Sequence, residues 1–324
     1  MATVFIATSG VFVKIAFVGK GGSGKTTLSS LFVRHLAGRG APVVAIDADI
    51  NQHLGVALGL DEERAAKIPA MGDELPAIKE YLRGDNPRIA SAADMIKTTP
   101  PGRGSRLLRL GGDDPVHALA QEVDGVSLLV TGAFGDDDLG VSCYHSKTGA
   151  VELYLNHLVD GPGEYAVVDM TAGADAFASG LFTRFDLTFL VAEPTRKGVG
   201  VYRQYAEYAA GYDIPLAVIG NKVQGEDDVA YLREHVGDAL LTWVGQSAAV
   251  RALEQGRSGV VLEPGNAAAL DRMRAAVDAR TKDWAGFQRQ AVEFHLKNAL
   301  SWANRAVGED LVTQIDPEFE FPSR

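Results

Sequence analysis

The run Gly19-Lys20-Gly21-Gly22-Ser23-Gly24-Lys25-Thr26-Thr27 constrains this chain more than any other segment. It follows an apolar, strand-like segment, residues 14–18. It precedes a stretch that sets Leu28, Leu31, Phe32 and Leu36 at helical spacing, stopped by Gly38 and Gly40. Gly-x-x-x-x-Gly-Lys-Thr between a strand and a helix is the pattern of a phosphate-binding loop. Glycines let successive backbone N–H groups converge on phosphate oxygens, and the helix N-terminus adds partial positive charge. Gly21, Gly22, Ser23, Gly24, Lys25, Thr26 and Thr27 are therefore candidate nucleotide-binding residues. Lys25 is expected to reach the β- and γ-phosphates, and the Thr26 hydroxyl to ligate Mg²⁺. The competing explanation, a glycine-rich turn with a chance lysine, does not account for the strand, the helix and the acids downstream.

Further apolar runs at residues 42–47, 126–131, 165–169, 187–192 and 216–219 alternate with helical patterns such as 151–158 and 202–210. Continuous apolar strands alternating with helices predict an α/β fold, a doubly wound, mostly parallel sheet flanked by helices. Residues 61–109 are polar and helix-prone, broken by Thr99-Pro100-Pro101-Gly102, and are expected to form an insertion over one end of the sheet. After Pro264-Gly265 the pattern becomes purely helical. One helix runs to about Thr281, and a second carries Trp284, Phe287, Ala291 and Phe294 and continues through Trp302. The expected organisation is a leader at 1–12, a nucleotide-binding domain at 13–264, and a C-terminal helical extension and tail at 265–324. Trp284, Phe287, Phe294 and Trp302 are too many large apolar groups for a free tail, so they are expected to pack on the core.

The formal net charge of −11 argues against a nucleic-acid partner, since duplex affinity comes from Lys and Arg neutralising phosphates. No run approaches the 18 uncharged apolar residues typical of a membrane span. Residues 1–12 lack the basic region of a signal peptide, so a cytoplasmic location is expected and no membrane partner. One cysteine, Cys143, excludes an intrachain disulfide framework.

Two acids close the second apolar run, Asp47 and Asp49, and Asp169 closes the run at 165–169 before Met170-Thr171-Ala172-Gly173. Strand-end carboxylates lie at the edge where open α/β sheets bind ligands, and Asp169 suits Mg²⁺, usually through a bound water. Lys20, a second lysine just after the first glycine, makes the loop resemble the deviant Walker A family, which includes MinD/ParA-type ATPases and the nitrogenase iron protein. What this resemblance implies is an ATPase using ATP and Mg²⁺, with catalytic residues Lys20, Lys25 and Asp49. Lys20 would cross a homodimer interface to the partner's nucleotide, Asp49 would orient the attacking water, and Asp47 would stand behind it or hold a Mg²⁺-bound water. Asn221, ending the run at 216–219, resembles the asparagine of this family that reads the adenine edge; an amide can donate and accept at once.

The best branch match is to the accessory ATPases that help insert nickel into carbon monoxide dehydrogenase. It spans roughly residues 13–264. It rests on Gly19 to Thr27, on Asp47-Ala48-Asp49 with residues 51–60, on Val168-Asp169-Met170-Thr171-Ala172-Gly173, and on Val191-Ala192-Glu193-Pro194. This resemblance implies a metallocentre-maturation ATPase with a protein client that the sequence does not name. The alternative is a MinD/ParA-like positioning or regulatory ATPase acting through a protein partner. The accessory-ATPase branch usually carries C-x-C where this chain has Val141-Ser142-Cys143. Cys143 and His145 from each chain of a dimer would give a Cys₂His₂ set adequate for Zn²⁺ or Ni²⁺ at the interface. A bridging four-cysteine iron–sulfur cluster needs two cysteines per chain and is excluded.

Overall fold

Continuous apolar runs become the buried strands of one sheet. The computed structural model describes residues 13–133, 144–171, 173, 177, 179–257 and 259–322. The strands are β1 (Val13–Gly19), β2 (Val43–Ala48), β3 (Gln121–Val123), β4 (Val126–Val130), β5 (Tyr165–Met170), β6 (Leu187–Ala192), β7 (Leu216–Val223) and β8 (Leu240–Gly245). Their order is β3-β4-β2-β5-β1-β6-β7-β8. β3 pairs antiparallel with β4, and the other neighbours run parallel. The expected mostly parallel α/β sheet is therefore present. Two strands went unpredicted, β3 because it is short and polar, and β8 because Thr242 interrupts its short apolar run.

The helices are α1 (Lys25–Ala37), α2 (Leu54–Ala57), α3 (Glu62–Ala65), α4 (Leu75–Arg83), α5 (Tyr144–His157), α6 (Arg196–Ala210), α7 (Glu226–Val236), α8 (Ala248–Glu254), α9 (Pro264–Asp278), α10 (Trp284–Asn298) and α11 (Asn304–Val307). α5 and α6 begin earlier than their apolar periodicity shows. For α6 the reason is an N-cap: the Thr195 hydroxyl accepts from Gly198 N–H at 3.1 Å and starts the helix ahead of Tyr202.

Because strand side chains alternate, β1 feeds two cores. Ile15 and Phe17 join Leu28 and Phe32 of α1, Leu54 of α2, and Leu270 and Met273 of α9 on one face. Phe17, Phe32 and Phe189 pack there with ring centroids 5.3–5.8 Å apart. Ala16 and Val18 face Ile78 of α4, Tyr154 of α5, Tyr205 of α6 and Leu232 of α7. Most of the segment at 61–109 lies on this second face, contributing Met71, Ile78, Leu82, Ile89, Met95 and Leu108 to its core, while Ile68 joins the first. Its regular helix is mostly α4.

The C-terminal helices pack as integral parts of these layers. α9 buries Ala269, Leu270, Met273 and Val277. Ahead of α10, Lys282 Nζ sits 3.1 Å from Asp160 and 2.7 Å from Asp186, at the sheet edge where β5 and β6 begin. Lys14 Nζ joins them, 3.5 Å from Asp160 and bonded to the Leu155 and Leu158 carbonyls. Burial, then the Lys282 charge, lowers the Lys14 ammonium to about 7. The tail lies against α10: Phe321 stacks on Trp284 at 4.5 Å, and Asp316 accepts from the Arg103 N–H. Trp302 departs from expectation. α10 passes into a π-helical turn, Ala299–Ala303, which leaves Trp302 44% exposed with its indole N–H on Asn298.

Candidate functional site

At the C-terminal edge of the sheet, β1 ends in the glycine loop that leads into α1, the arrangement by which such sheets bind ligands. Two glycines are needed sterically. A Cβ on Gly19 would lie 2.6 Å from the Val191 carbonyl, and one on Gly24 would lie 2.2 Å from Asn221 Nδ2. Gly24, at φ 95°, is the N-cap of α1 and contributes no side chain to it, so the helix opens onto the loop.

Around this helix start the predicted residues converge. Thr26 Oγ1 donates to Asp169 Oδ2 at 2.6 Å, and Lys25 Nζ lies 3.6 Å from Asp49 Oδ2. Asp49 Oδ1 accepts from the backbone and side-chain nitrogens of Asn51, which aims its carboxylate across the cleft. Asp47 and Asp169 are directly paired across β2 and β5. Both are fully buried, and burial raises both carboxyls, Asp169 to about 7; for Asp47 the neighbouring Asp169 adds to the effect. Asp47 accepts from the N–H groups of Asp49 and Leu54 and so holds the loop after β2 in shape. Asp169 Oδ1 is buried without a hydrogen-bond partner, as is Ser23 Oγ. An acceptor left bare beside a threonine hydroxyl fits a cation better than an apolar core, since an unmet buried carboxylate oxygen is costly.

The cleft above the loop has a volume of about 330 Å³ and is lined by Gly22, Lys25, Thr26, Asp49, His53 and Lys222 among others. A pocket of about 630 Å³ shares Gly24, Thr27, Lys222 and Glu254 with it and extends over Asn221 to Gln246, Ser247 and Arg251. The segment after β8 thus forms a wall that sequence periodicity missed along with β8 itself. Asn221 is nine-tenths buried at the mouth of this pocket, and its amide donates to Ser23 O at 2.7 Å. Glu254 was also missed; it accepts from the Thr27 hydroxyl at 2.8 Å where cleft and pocket meet. Lys20 is half-buried, and its ammonium has no carboxylate partner among the described residues.

Cys143 lies outside the described residues, as do Ala172 and residues 174–176. His145 falls on α5, but its side chain is outside the description as well. Among the described residues no group of three or more His, Cys, Asp or Glu side chains is placed to hold a metal ion.

Comparison with known proteins agrees with this geometry. Residues 15–260 match the CobQ/CobB/MinD/ParA nucleotide binding domain. An uncharacterized ATP-binding protein of Methanocaldococcus jannaschii is 29% identical over 235 residues, 71% of this chain and 84% of the relative. The carbon monoxide dehydrogenase accessory protein CooC of Rhodospirillum rubrum is 28% identical over 244 residues, 75% of this chain and 87% of CooC. Among solved structures, the MinC:MinD cell division complex of Aquifex aeolicus superposes with a TM-score of 0.54 at 18% identity, covering 83% of this chain and 97% of its counterpart. MinD with Mg-ADP from Pyrococcus horikoshii gives 0.51 at 15% identity, covering 82% and 96%. Both structures speak for the fold, and the family match spans most of the chain and the whole phosphate site: the chain belongs to the CobQ/CobB/MinD/ParA family of nucleotide-binding proteins.

Proposed function

We propose that this protein binds Mg-ATP and hydrolyses it as a nucleotide-switched homodimer, in the service of a protein client whose metal centre is being matured. The observation that carries the reading is the convergence of Lys25, Thr26, Asp49 and Asp169 on one helix N-terminus, with Thr26 and Asp169 already joined at 2.6 Å. Loop N–H groups and the Lys25 ammonium bind the phosphate chain and offset its charge. Thr26 and Asp169 would hold Mg²⁺, which when bound neutralises charge on the β- and γ-phosphate oxygens. Asp49, fixed by Asn51, orients a water for in-line attack on the γ-phosphorus, and Asp47 keeps Asp49 in place from behind. Lys20, whose ammonium has no carboxylate partner among the described residues, reaches the partner's nucleotide and completes the site, as an arginine finger does. Turnover is slow until a client arrives. Asn221 and the wall from Gln246 to Arg251 take the adenine base.

The metal-maturation role rests on the likeness to CooC. The net charge of −11 keeps nucleic acid out of the account, and among the described residues no helix is long and apolar enough to cross a membrane. The test separates binding from chemistry. Lys25→Ala should weaken Mg-ATP binding by about 100-fold or more, since it strips a buried charge from the phosphates. Asp49→Asn should bind Mg-ATP as the native protein does and release no phosphate. An Asp49→Asn variant that hydrolyses at the native rate would remove Asp49 from the mechanism, and a native protein that releases no phosphate with Mg-ATP, alone or with lysate, would end the ATPase assignment.

A further inference from the structure

Two consecutive residues of β7 grip two consecutive carbonyls of the phosphate loop. Asn221 Nδ2 donates to Ser23 O at 2.7 Å, and Lys222 Nζ donates to Gly22 O at 2.7 Å. The same ammonium lies 2.5 Å from Glu193 Oε1, just beyond the end of β6. Side chains along a strand alternate between faces, so neighbours do not ordinarily reach one target. Here the alternation is broken. Lys222 has φ 59°, in the left-handed region that non-glycine residues rarely adopt, and the pairing of β7 with β8 slips between Gly220 and Val223. Strain of this kind persists where surrounding contacts enforce it, and it collects at functional sites.

The gripped group explains what the contact achieves. The peptide whose carbonyl Lys222 holds is the one whose N–H, on Ser23, donates to the Lys20 carbonyl at 3.0 Å. One peptide unit therefore joins Lys222 on one side to Lys20 on the other. Local packing does not fix that peptide: Gly22 has φ 79°, and a Cβ there would meet nothing within 4 Å. Its two hydrogen bonds hold it instead, and without the Lys222 donor a glycine peptide anchored at one end would turn readily and disturb the run of N–H groups that the phosphates need.

We infer that Lys222 is a positioning residue, held by Glu193, that keeps the Gly22 carbonyl turned out of the phosphate cradle and so sets the turn that carries Lys20. The inference rests on the nucleotide-binding reading and goes beyond it in assigning a role to the β6 and β7 ends that hold the loop tip. Lys222→Met keeps the length of the side chain and removes its donors; Lys222→Arg keeps two donors for Gly22 and Glu193. Calorimetric titration of both variants and the native protein with Mg-ATP, Mg-ADP and adenosine, beside their melting temperatures, tests it. Lys222→Met should weaken Mg-ATP and Mg-ADP by about 10- to 100-fold, the loss expected for a charge-assisted hydrogen bond. Adenosine affinity and melting temperature should stay at native values, and Lys222→Arg should recover most of the loss. A purely structural lysine would change the melting temperature and would not distinguish adenosine from its phosphates. Glu193→Gln should show a smaller loss with the same dependence on phosphate, and it carries the test if Lys222→Met does not fold. Native Mg-ATP affinity in Lys222→Met, or in Glu193→Gln where that variant stands in, overturns the inference alone, as does equal weakening of adenosine. Native protein that fails to bind Mg-ATP overturns the nucleotide-binding reading along with it.

Discussion

His157, at the end of α5, is fully buried; its Nδ1 donates to the Leu153 carbonyl at 2.9 Å, while Nε2 has no partner. Burial, reinforced by the nearby Lys14 ammonium, pushes the imidazole down from 6.5 to about 4. Between those two values the unfolded chain takes up a proton at His157 that the folded chain refuses. Stability contributed by the neutral ring is thus fully present above pH 6.5 and is lost as pH falls through the window toward 4. The full loss amounts to roughly 3 kcal/mol for a shift of this size. Denaturant unfolding of native protein and His157→Gln between pH 7.5 and 4.5 reads it: the native curve should fall more steeply on the acid side. Parallel curves would show that the ring titrates alike in both states. Such a residue is invisible in the sequence, where His157 is one of several histidines and nothing marks it as buried.

Among the elements, α9 decides whether the C-terminal helices are an appendage or part of the core. Leu270, Met273 and Val277 sit in the cluster built by β1 and α1, and burying each contributes about 1.5–3 kcal/mol. Truncation at Gly265 removes all three and also strips Lys282 from Asp160 and Asp186. The summed loss is comparable to the roughly 5–15 kcal/mol that holds a typical domain together. The truncated chain is therefore expected to be unfolded at 25 °C, and circular dichroism with a native melting transition would refute this. Met273→Ala alone should cost about 2–5 kcal/mol. The apolar spacing from Trp284 to Phe294 made α10 legible. The early start of α6 and strand β8 were not, because a cap and a short strand interrupted by a threonine carry little periodicity.

For the whole molecule, the property to test is the proposed nucleotide-dependent association, in which Lys20, without a carboxylate partner among the described residues, would reach across to a second copy. Light scattering should give a monomer mass without nucleotide and with Mg-ADP, and a dimer with Mg-ATP. Asp49→Asn should hold the dimer, and Lys20→Ala should remain monomeric with Mg-ATP. One mass in all nucleotide states would remove the switch and leave a nucleotide-binding protein whose two lysines act within one chain.

The sequence by itself determined the phosphate loop, the strand–helix alternation and the order of the acids, because these depend on local rules: glycine freedom, strand and helix periodicity, and carboxylates at strand ends. It placed Lys25, Thr26, Asp49, Asp169 and Asn221 on elements that do meet at one edge of the sheet. Tertiary structure alone decided that Asp47 supports a loop, that Lys222, held by Glu193, clasps the Gly22 carbonyl, and that Gln246 to Arg251 wall the pocket beside Asn221. Each of these joins residues tens to hundreds of positions apart or turns on whether a polar group is buried, and both follow from the order in which strands pair rather than from any local pattern.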